Sequence, residues 1–171
     1  MPKPLDQNGL MTFAARALSA RALTVSELRE KLRRRAAEAS DVESVLARLK
    51  EGGYLDDRRF ADSYASWRRD DGGFGKARVQ RDLMTRRVAP AVAKQAAEAA
   101  FQGTDEVAMI EAFLARKYRG KDLGALLKEQ KHLASAYRKL RTSGFSTGNS
   151  IRVLKRYAEQ ADMLEDVEEE T

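Results

Sequence analysis

The stretch GGYLDDRRFADSYASWRR, residues 52–69, combines two glycines, three aspartates and four arginines with a Phe-Tyr-Trp series. Glycine reaches the left-handed conformation that a helix C-terminus often needs, so Gly52 and Gly53 predict the end of one helix. Asp56 or Asp57 then caps the next helix, because an aspartate side chain accepts hydrogen bonds from the free N–H groups of a first turn. The stretch therefore predicts a turn between two helices.

The aromatic residues of this stretch, Phe60, Tyr64 and Trp67, stand at positions i, i+4 and i+7 of the predicted helix. That spacing places them on one stripe. A stripe of rings is more often buried core than a base-stacking platform, because aromatic side chains dominate burial in small helical cores. We therefore expect all three rings to be mainly structural.

Amphipathic helical patterns continue on both sides of this stretch. Upstream, Thr24 or Ser26 caps a helix in TVSELREKLRRRA, and Ser40 or Asp41 caps a second one in SDVESVLARLKEGG. Downstream, Ala, Leu, Arg, Lys and Glu remain abundant, and these residues favour helices. No Val/Ile-rich alternation of any length predicts a strand.

Three copies of one helical unit emerge when the middle helices are aligned. Leu32, Leu83 and Leu140 coincide at offsets of 51 and 57 residues, and a second set coincides four residues earlier, namely Leu28, Val79 and Ala136. A helix precedes each copy, at 12–23, 58–69 and 105–118, and another helix follows it. A single repeat has too little core to stand alone. We therefore predict an all-α fold, an elongated array of three tandem three-helix repeats.

The predicted organisation has five parts. It comprises a disordered N-terminal arm at 1–10, three-helix repeats at 11–55, 56–103 and 104–160, and an acidic C-terminal tail at 161–171. The alternative is a generic helical bundle whose leucine spacings coincide by chance, but the matching order of helices in each copy argues against it.

Charge is unevenly distributed along the chain. The net charge is +6, yet residues 159–171 hold seven acids and neither Lys nor Arg. A basic body favours a polyanion or an acidic protein surface as partner, and the tail is more simply a solubilising segment. Cysteine is absent, no apolar run approaches the roughly 20 residues of a membrane span, and the start lacks a secretory signal. We expect a cytoplasmic protein without membrane contact.

Catalytic motifs are missing from the sequence. The turn DDGGFG lacks the Lys-Ser/Thr of a phosphate loop, and the serines form no Gly-x-Ser-x-Gly elbow. The sole histidine, His132, has no motif around it that would supply a nucleophile or an orienting carboxylate. The paired aspartates 56 and 57 have no further acid or histidine nearby to complete a metal site. We expect no enzyme activity, no catalytic residue, no metal and no cofactor.

A family resemblance rests on these motifs. Residues 52–69 followed by GFGKARVQRDLMTRRV (73–88) strongly resemble the RecX regulatory proteins, and 19–35 and 137–151 are similar to the same family. The resemblance covers roughly 14–158 and is more specific in the first two repeats than in the third. The residues that match the family pattern are Leu55, Asp57, Phe60, Ala61, Tyr64, Gly75 and Leu83.

One position departs from the family pattern. RecX proteins often carry glycine at the end of the first repeat's middle helix, where this chain has Arg35-Ala36-Ala37. Only Gly144, in the third repeat, keeps that glycine. The departure predicts a longer or differently capped turn in the first repeat.

The resemblance implies a regulatory protein that binds RecA and the RecA filament on single-stranded DNA. RecX-like proteins negatively modulate RecA ATPase, strand exchange and coprotease activity in recombination, DNA repair and the SOS response. We expect a monomer with weak direct DNA binding. Two alternatives stay open: a direct DNA-binding regulator of helix-turn-helix type and a plain helical-repeat scaffold. Against the former, no helix carries Asn, Gln and Ser placed to read base edges.

The candidate partner-binding residues are basic and recur in all three repeats. Arginine pairs bidentately with carboxylate or phosphate. For any single arginine a solvated surface is the simpler interpretation, and the recurrence is the signal. The candidates are Arg29, Arg33, Arg34, Arg68, Arg69, Lys76, Arg78, Arg81, Arg86, Arg87, Arg138, Lys139 and Arg141.

Overall fold

The computed structural model describes residues 3–164, and over that range the regular elements are helical. In chain order they are α1 (Gln7–Ala20), α2 (Val25–Arg33), α3 (Ala39–Glu51), α4 (Asp57–Asp70), α5 (Lys76–Thr85), α6 (Pro90–Phe101), α7 (Glu106–Lys117), α8 (Leu123–Leu126), α9 (Gln130–Thr142), α10 (Thr147–Leu154) and a 3-10 helix (Glu159–Leu164). The prediction of an all-α fold with tandem three-helix repeats is confirmed. The three sets are α1–α3, α4–α6, and α7 with α9 and α10.

The helices group into two compact units. The N-terminal unit contains residues up to 64 together with 82–96, and the C-terminal unit contains 65–81 together with the residues from 97 onward. The boundaries fall inside α4, α5 and α6, so the middle repeat contributes residues to both units.

The aligned leucines lie in the core. Leu32, Leu83 and Leu140 are each fully buried, and so are Leu28, Val79 and Ala136 four residues earlier. Each middle helix thus buries the stripe that the alignment identified, because residues four apart lie on one helix face. Between α7 and α9 the chain inserts the single turn α8, where the sequence showed only a continuing helical pattern.

Helix α2 begins with a reciprocal cap. The Thr24 hydroxyl accepts a hydrogen bond from the Glu27 N–H at 3.1 Å, and the Glu27 carboxylate accepts one from the Thr24 N–H at 3.1 Å. This is a capping box. It confirms Thr24, one of the two predicted caps.

The predicted caps of α3 are wrong. The helix begins at Ala39 after Glu38, whose side chain makes no capping hydrogen bond, so neither Ser40 nor Asp41 is the cap. By contrast, Asp56 accepts hydrogen bonds from the N–H groups of Arg58 and Arg59 and caps α4 as expected.

The predicted disordered arm is also wrong over residues 5–10. Asp6 caps α1, which begins at Gln7 rather than after residue 10. The Leu5 N–H donates to the Arg35 carbonyl at 2.7 Å, and the Ala37 N–H donates to the Leu5 carbonyl at 2.9 Å. This pairing also ends the middle helix of the first repeat, at the Arg35–Ala37 turn where the family glycine is missing.

The predicted acidic tail starts too early. Ala161 and Leu164 of the 3-10 helix are buried in the core of the C-terminal unit, which also contains Phe145 and Leu154. Ala161 and Leu164 therefore belong to that core, and the remainder of the predicted tail, 165–171, lies outside the described residues.

The aromatic stripe of α4 is only partly buried. Phe60 is 8% exposed and stacks on the half-buried Tyr64 at 5.9 Å between ring centroids, but Trp67 is 52% exposed. Ala61 and Ala65 are fully buried, so the buried face of α4 is centred on their side. At about 100° per residue, Trp67 points roughly 140° away from the centre of that face. The expectation that all three rings are core is therefore wrong for Trp67.

Helix α5 meets the end of α9 within the C-terminal unit through two glycines. The Gly75 N–H donates to the Ser143 carbonyl at 2.8 Å, and the Ala77 N–H donates to the Gly144 carbonyl at 3.2 Å. A Cβ atom at Gly75 would lie 2.3 Å from the Gly144 oxygen. The close backbone approach therefore requires glycine at residue 75.

Candidate basic binding surfaces

Arg29 and Arg33 of α2 share one carboxylate. Arg29 donates two hydrogen bonds to Glu43 on α3, at 2.9 and 3.2 Å, whereas the nearest Arg33 nitrogen lies 3.9 Å from it. The hydrogen bond from Arg29 lowers the pKa of Glu43 below its usual value. Arg29 thus joins α2 to α3, while Arg33 and its neighbour Arg34 remain exposed.

Arg86 is packed inside the N-terminal unit. Its guanidinium lies 5.2 Å from the Phe60 ring centroid and 5.1 Å from that of Tyr64, within the range of a cation–π interaction. Its Nε lies 3.5 Å from Glu27, and its carbonyl accepts a hydrogen bond from Thr24. Arg86 therefore connects α2, α4 and α5, and its side chain is half-buried.

Arg87, the next residue, has the opposite character. Its side chain is 70% exposed and lies 3.5 Å from Glu30. Among residues 3–164, it is also the one residue other than glycine that has a positive φ, 60°. Its charge is accessible from solvent, although the adjacent carboxylate offsets it.

The arginines beside the glycine turn of the C-terminal unit surround one aromatic ring. The guanidinium carbons of Arg68 and Arg78 lie 4.3 and 5.2 Å from the centroid of Phe74. Arg68 also lies 5.5 Å from the Trp67 centroid. These two arginines are half-buried, so they pack on the Phe74 ring and still expose part of their side chains to solvent.

Arg69 is turned toward its own unit. It pairs with Asp70, with its Nε 2.6 Å from a carboxylate oxygen, and donates to the carbonyl of Ala100 at the end of α6. The hydrogen bond from Arg69 lowers the pKa of Asp70.

In α9, the candidate cations divide between internal and external roles. Lys139 donates to the Tyr118 hydroxyl at 3.3 Å, and Arg141 donates to the Phe145 carbonyl. Arg138 is exposed. Arg138 and Arg81 occupy the same position of their repeats, 57 residues apart, and both are exposed.

A cleft between α7 and α9 gathers more positive charge than the sequence indicated. Its volume is about 270 Å³, and Lys117, Arg138 and Lys139 line it together with Thr142 and Ser143. Among residues 3–164, no carboxylate lines it. Lys117 was not among the sequence-predicted candidates because this lysine lies on a different helix of the repeat from the other two cations.

The structure therefore separates the thirteen candidates into two groups. One group makes intramolecular hydrogen bonds, ion pairs or ring contacts and is half-buried, and the other is exposed. The first group is Arg29, Arg68, Arg69, Arg78, Arg86, Lys139 and Arg141. The second group is Arg33, Arg34, Lys76, Arg81, Arg87 and Arg138.

Other kinds of site find little support in the described range. Within residues 3–164, no three His, Asp or Glu side chains come together as a metal site, and none of the helices is long and apolar enough to cross a membrane. His132 is half-buried, with its Nε2 3.5 Å from Glu129.

The fold and these surfaces define an all-helical protein built from tandem three-helix domains with basic outer positions. Two family models match it: "RecX, first three-helix domain" over residues 11–49 and "RecX, second three-helix domain" over residues 56–96.

Curated relatives agree with these matches. The chain is 32% identical over 146 residues to "Regulatory protein RecX" of Deinococcus radiodurans, which covers 85% of this chain and 66% of that protein. It is 32% identical over 133 residues to "Regulatory protein RecX" of Vibrio parahaemolyticus, with 78% and 81% covered. This chain belongs to the RecX family.

A solved structure supports the fold independently. The crystal structure of RecX from Lactobacillus salivarius superposes with a TM-score of 0.65 over 88% of this chain and 96% of that chain. At 17% sequence identity, this likeness supports the fold alone.

Proposed function

We propose that this protein binds RecA and the RecA filament on single-stranded DNA and negatively modulates RecA ATPase, strand exchange and coprotease activity. Membership of a family whose curated relatives are named regulatory proteins carries the proposal. RecA is the partner that the sequence resemblance implies. The protein acts without a catalytic residue or cofactor, as a cytoplasmic monomer, by occupying a surface.

The exposed cations supply the proposed contact. Arg33 and Arg34 lie at the end of α2, and Arg138 lies on α9. Each projects from a helix whose opposite side is anchored by buried leucines, which fixes the helix while leaving the charge available. An exposed guanidinium attracts carboxylates of a protein or phosphates of DNA. The internally bonded arginines hold the helices in place instead.

The decisive experiment is RecA ATPase on single-stranded DNA, with and without this protein. The wild-type chain is expected to inhibit ATP hydrolysis during filament growth at substoichiometric amounts. Inhibition weakens as salt rises, since the contact is electrostatic. An unchanged rate at equimolar protein contradicts the proposal.

A matched pair of charge reversals tests the surface. The first variant carries Arg33→Glu, Arg34→Glu and Arg138→Glu, and the control variant reverses three other exposed cations: Arg16→Glu, Lys121→Glu and Lys131→Glu. Both sets change the formal charge equally and lie off the buried stripes, so folding should survive in both. We expect the first variant to lose inhibition and the control to keep most of it. Equal inhibition by the two variants would show that these candidates form a solvated surface.

The DNA-regulator alternative predicts a different result. A helix-turn-helix regulator binds a preferred duplex sequence and leaves RecA ATPase unchanged on single-stranded DNA. Duplex selection experiments in the absence of RecA distinguish it from the filament modulator.

A further inference from the structure

Trp67 is an exposed aromatic side chain on a basic surface. It is the only tryptophan of the chain, and 52% of it is exposed. In the described part of the C-terminal unit, the other exposed large hydrophobic side chain is Met163 of the 3-10 helix. About half of the residue's surface is thus open to a ligand, and tryptophan buries a large apolar area when it is covered.

The residues around Trp67 are cationic. The Arg68 guanidinium lies 5.5 Å from the Trp67 centroid and 4.3 Å from that of Phe74, so it lies within interaction range of both rings. Arg78 lies 5.2 Å from the Phe74 centroid as well. Two guanidinium groups and two rings thus belong to one patch, which we call the Trp67 patch (Trp67, Arg68, Phe74 and Arg78).

The glycine turn fixes the geometry of this patch. Gly73 has a φ of 59°, and a Cβ atom there would lie 2.7 Å from an Arg116 nitrogen. Arg116 also lies within reach of the Gly72 carbonyl, at 3.5 Å. The absence of a side chain at residue 73 therefore lets a further arginine approach the turn that holds Phe74. Asp70, the nearest acid in sequence to Arg69, is paired with that residue.

We propose that the Trp67 patch binds single-stranded nucleic acid directly, with a base stacked on the Trp67 ring and neighbouring phosphates held by Arg68, Arg78 and Arg116. Proteins that bind single strands combine aromatic platforms with cationic grooves, because every base has a π-face and every nucleotide a phosphate. Tryptophan and arginine are also enriched in protein interfaces, so an acidic polypeptide is included in the test. Arg68 lies against the Trp67 ring and Arg78 against Phe74, while Asp70 and Asp71 follow three and four residues after Trp67. The proposal goes beyond RecA binding and does not depend on it.

The single tryptophan makes the test direct. In low salt and without RecA, a thymidine oligonucleotide of about twelve residues is expected to quench the tryptophan fluorescence in a saturable manner. Fluorescence anisotropy of a labelled oligonucleotide then measures affinity for the variants. Trp67→Ala should weaken binding at least about fivefold, the lower end for loss of one stacked base. Trp67→Phe should restore part of the affinity, since a ring remains.

Two controls separate stacking from other effects. Tyr54→Ala removes an exposed ring that lies outside the patch, 71% exposed, and should leave affinity unchanged. An oligomer of the same length without bases should bind the wild type and Trp67→Ala equally, because it offers phosphates and no rings. Circular dichroism verifies that each variant folds.

Several outcomes overturn the proposal. They are an absence of quenching, equal affinity of wild type and Trp67→Ala for the thymidine oligonucleotide, and a loss of affinity of Trp67→Ala for the oligomer without bases as large as its loss for the thymidine oligonucleotide. Quenching by polyglutamate as strong as that by the oligonucleotide also overturns it, because the patch would then bind acidic protein. The binding assay contains no RecA, so failure here leaves the ATPase experiment unaffected, and failure there leaves this one unaffected.

Discussion

The second and third repeats end their middle helices with the same backbone turn but with different residues. Arg87 follows α5 with a φ of 60°, and Gly144 follows α9 with a φ of 91°, 57 residues later. In each turn two backbone hydrogen bonds close the helix end. The outer one runs from the Val88 N–H to the Leu83 carbonyl at 3.1 Å in the second repeat, and from the Phe145 N–H to the Leu140 carbonyl at 3.2 Å in the third. This is the Schellman pattern, which needs a left-handed residue.

The surroundings of the two turns explain the difference. At Gly144 a Cβ atom would lie 2.2 Å from the Arg78 nitrogen, so backbone occupies the space that a side chain needs. At Arg87 the side chain extends into solvent and meets Glu30. The comparison teaches that the fold determines the left-handed turn, while local space determines whether a residue with a side chain can occupy it.

The largest expected effect comes from placing a side chain at the crowded turn. Gly144→Ala should lower the free energy of unfolding by about 3 kcal/mol or more, because a methyl group collides with backbone and the left-handed conformation adds strain. Urea denaturation measures it.

A second glycine provides the matched control. Gly148 lies in α10 with no atom within 4 Å of a Cβ position and no positive φ. Gly148→Ala should therefore leave stability unchanged or raise it slightly, since alanine is the better helix former. Equal losses for the two substitutions would contradict the crowding explanation.

An intermediate effect on stability is expected at the start of α10, the third helix of the third repeat. In the third repeat the Glu106 carboxylate accepts hydrogen bonds from the N–H of Ser146 at 2.9 Å, from its hydroxyl and from the Asn149 amide. In the second repeat α6 starts with Pro90, which has no N–H to satisfy. Glu106→Gln should cost about 1–2 kcal/mol at neutral pH, because the bonds to a charged acceptor are the stronger ones.

The same residue predicts a pH dependence. Burial opposes the charge of Glu106, but the hydrogen bonds from Ser146 and Asn149 outweigh it and lower its pKa below the ordinary value. A lowered folded-state pKa means that the stabilisation is complete above the unfolded pKa, about 4.3, and is lost as pH falls through the folded value. The stability difference between the wild type and Glu106→Gln should therefore shrink below about pH 4. A difference independent of pH would show that the charge of Glu106 is not involved.

The smallest effect concerns the open turn. Arg87→Gly and Arg87→Ala both remove the ion pair with Glu30, so their difference isolates the backbone. Glycine should exceed alanine in stability by about 1 kcal/mol, the lower end of the cost of a left-handed non-glycine residue. Thermal denaturation of the two variants measures it, and equal melting temperatures would show that the turn is unstrained.

Local pattern sufficed to predict much of the fold. Leu32, Leu83 and Leu140 could be identified as buried because helical spacing and the repeat offset both single them out, and all three are in the core. Glycine at residue 144 likewise indicated a helix end in the sequence. These features depend on neighbours within a few residues or on the repeat itself.

Features that depend on distant residues could not be predicted in this way. The exposure of Trp67 follows from which side of α4 the fold buries, and the small Ala61 and Ala65 gave no strong signal of that side. The candidate binding surface was predicted incompletely for the same reason. Arg69 and Arg86 have partners at Ala100 and Phe60, so charge counted along the sequence overestimates the charge presented to a partner.

The backbone pairing of Leu5 with Arg35 and Ala37 bears on the order in which the protein is synthesised. Leu5 leaves the ribosome before its hydrogen-bonding partners, which emerge roughly 30 residues later and ahead of α4. Because α1, α2 and α3 pack on one another and the Leu5 pairing closes the same segment, the first repeat can form its own contacts while the rest of the chain is still being translated. The backbone pairing of Leu5 with Arg35 and Ala37 can therefore form early in biosynthesis.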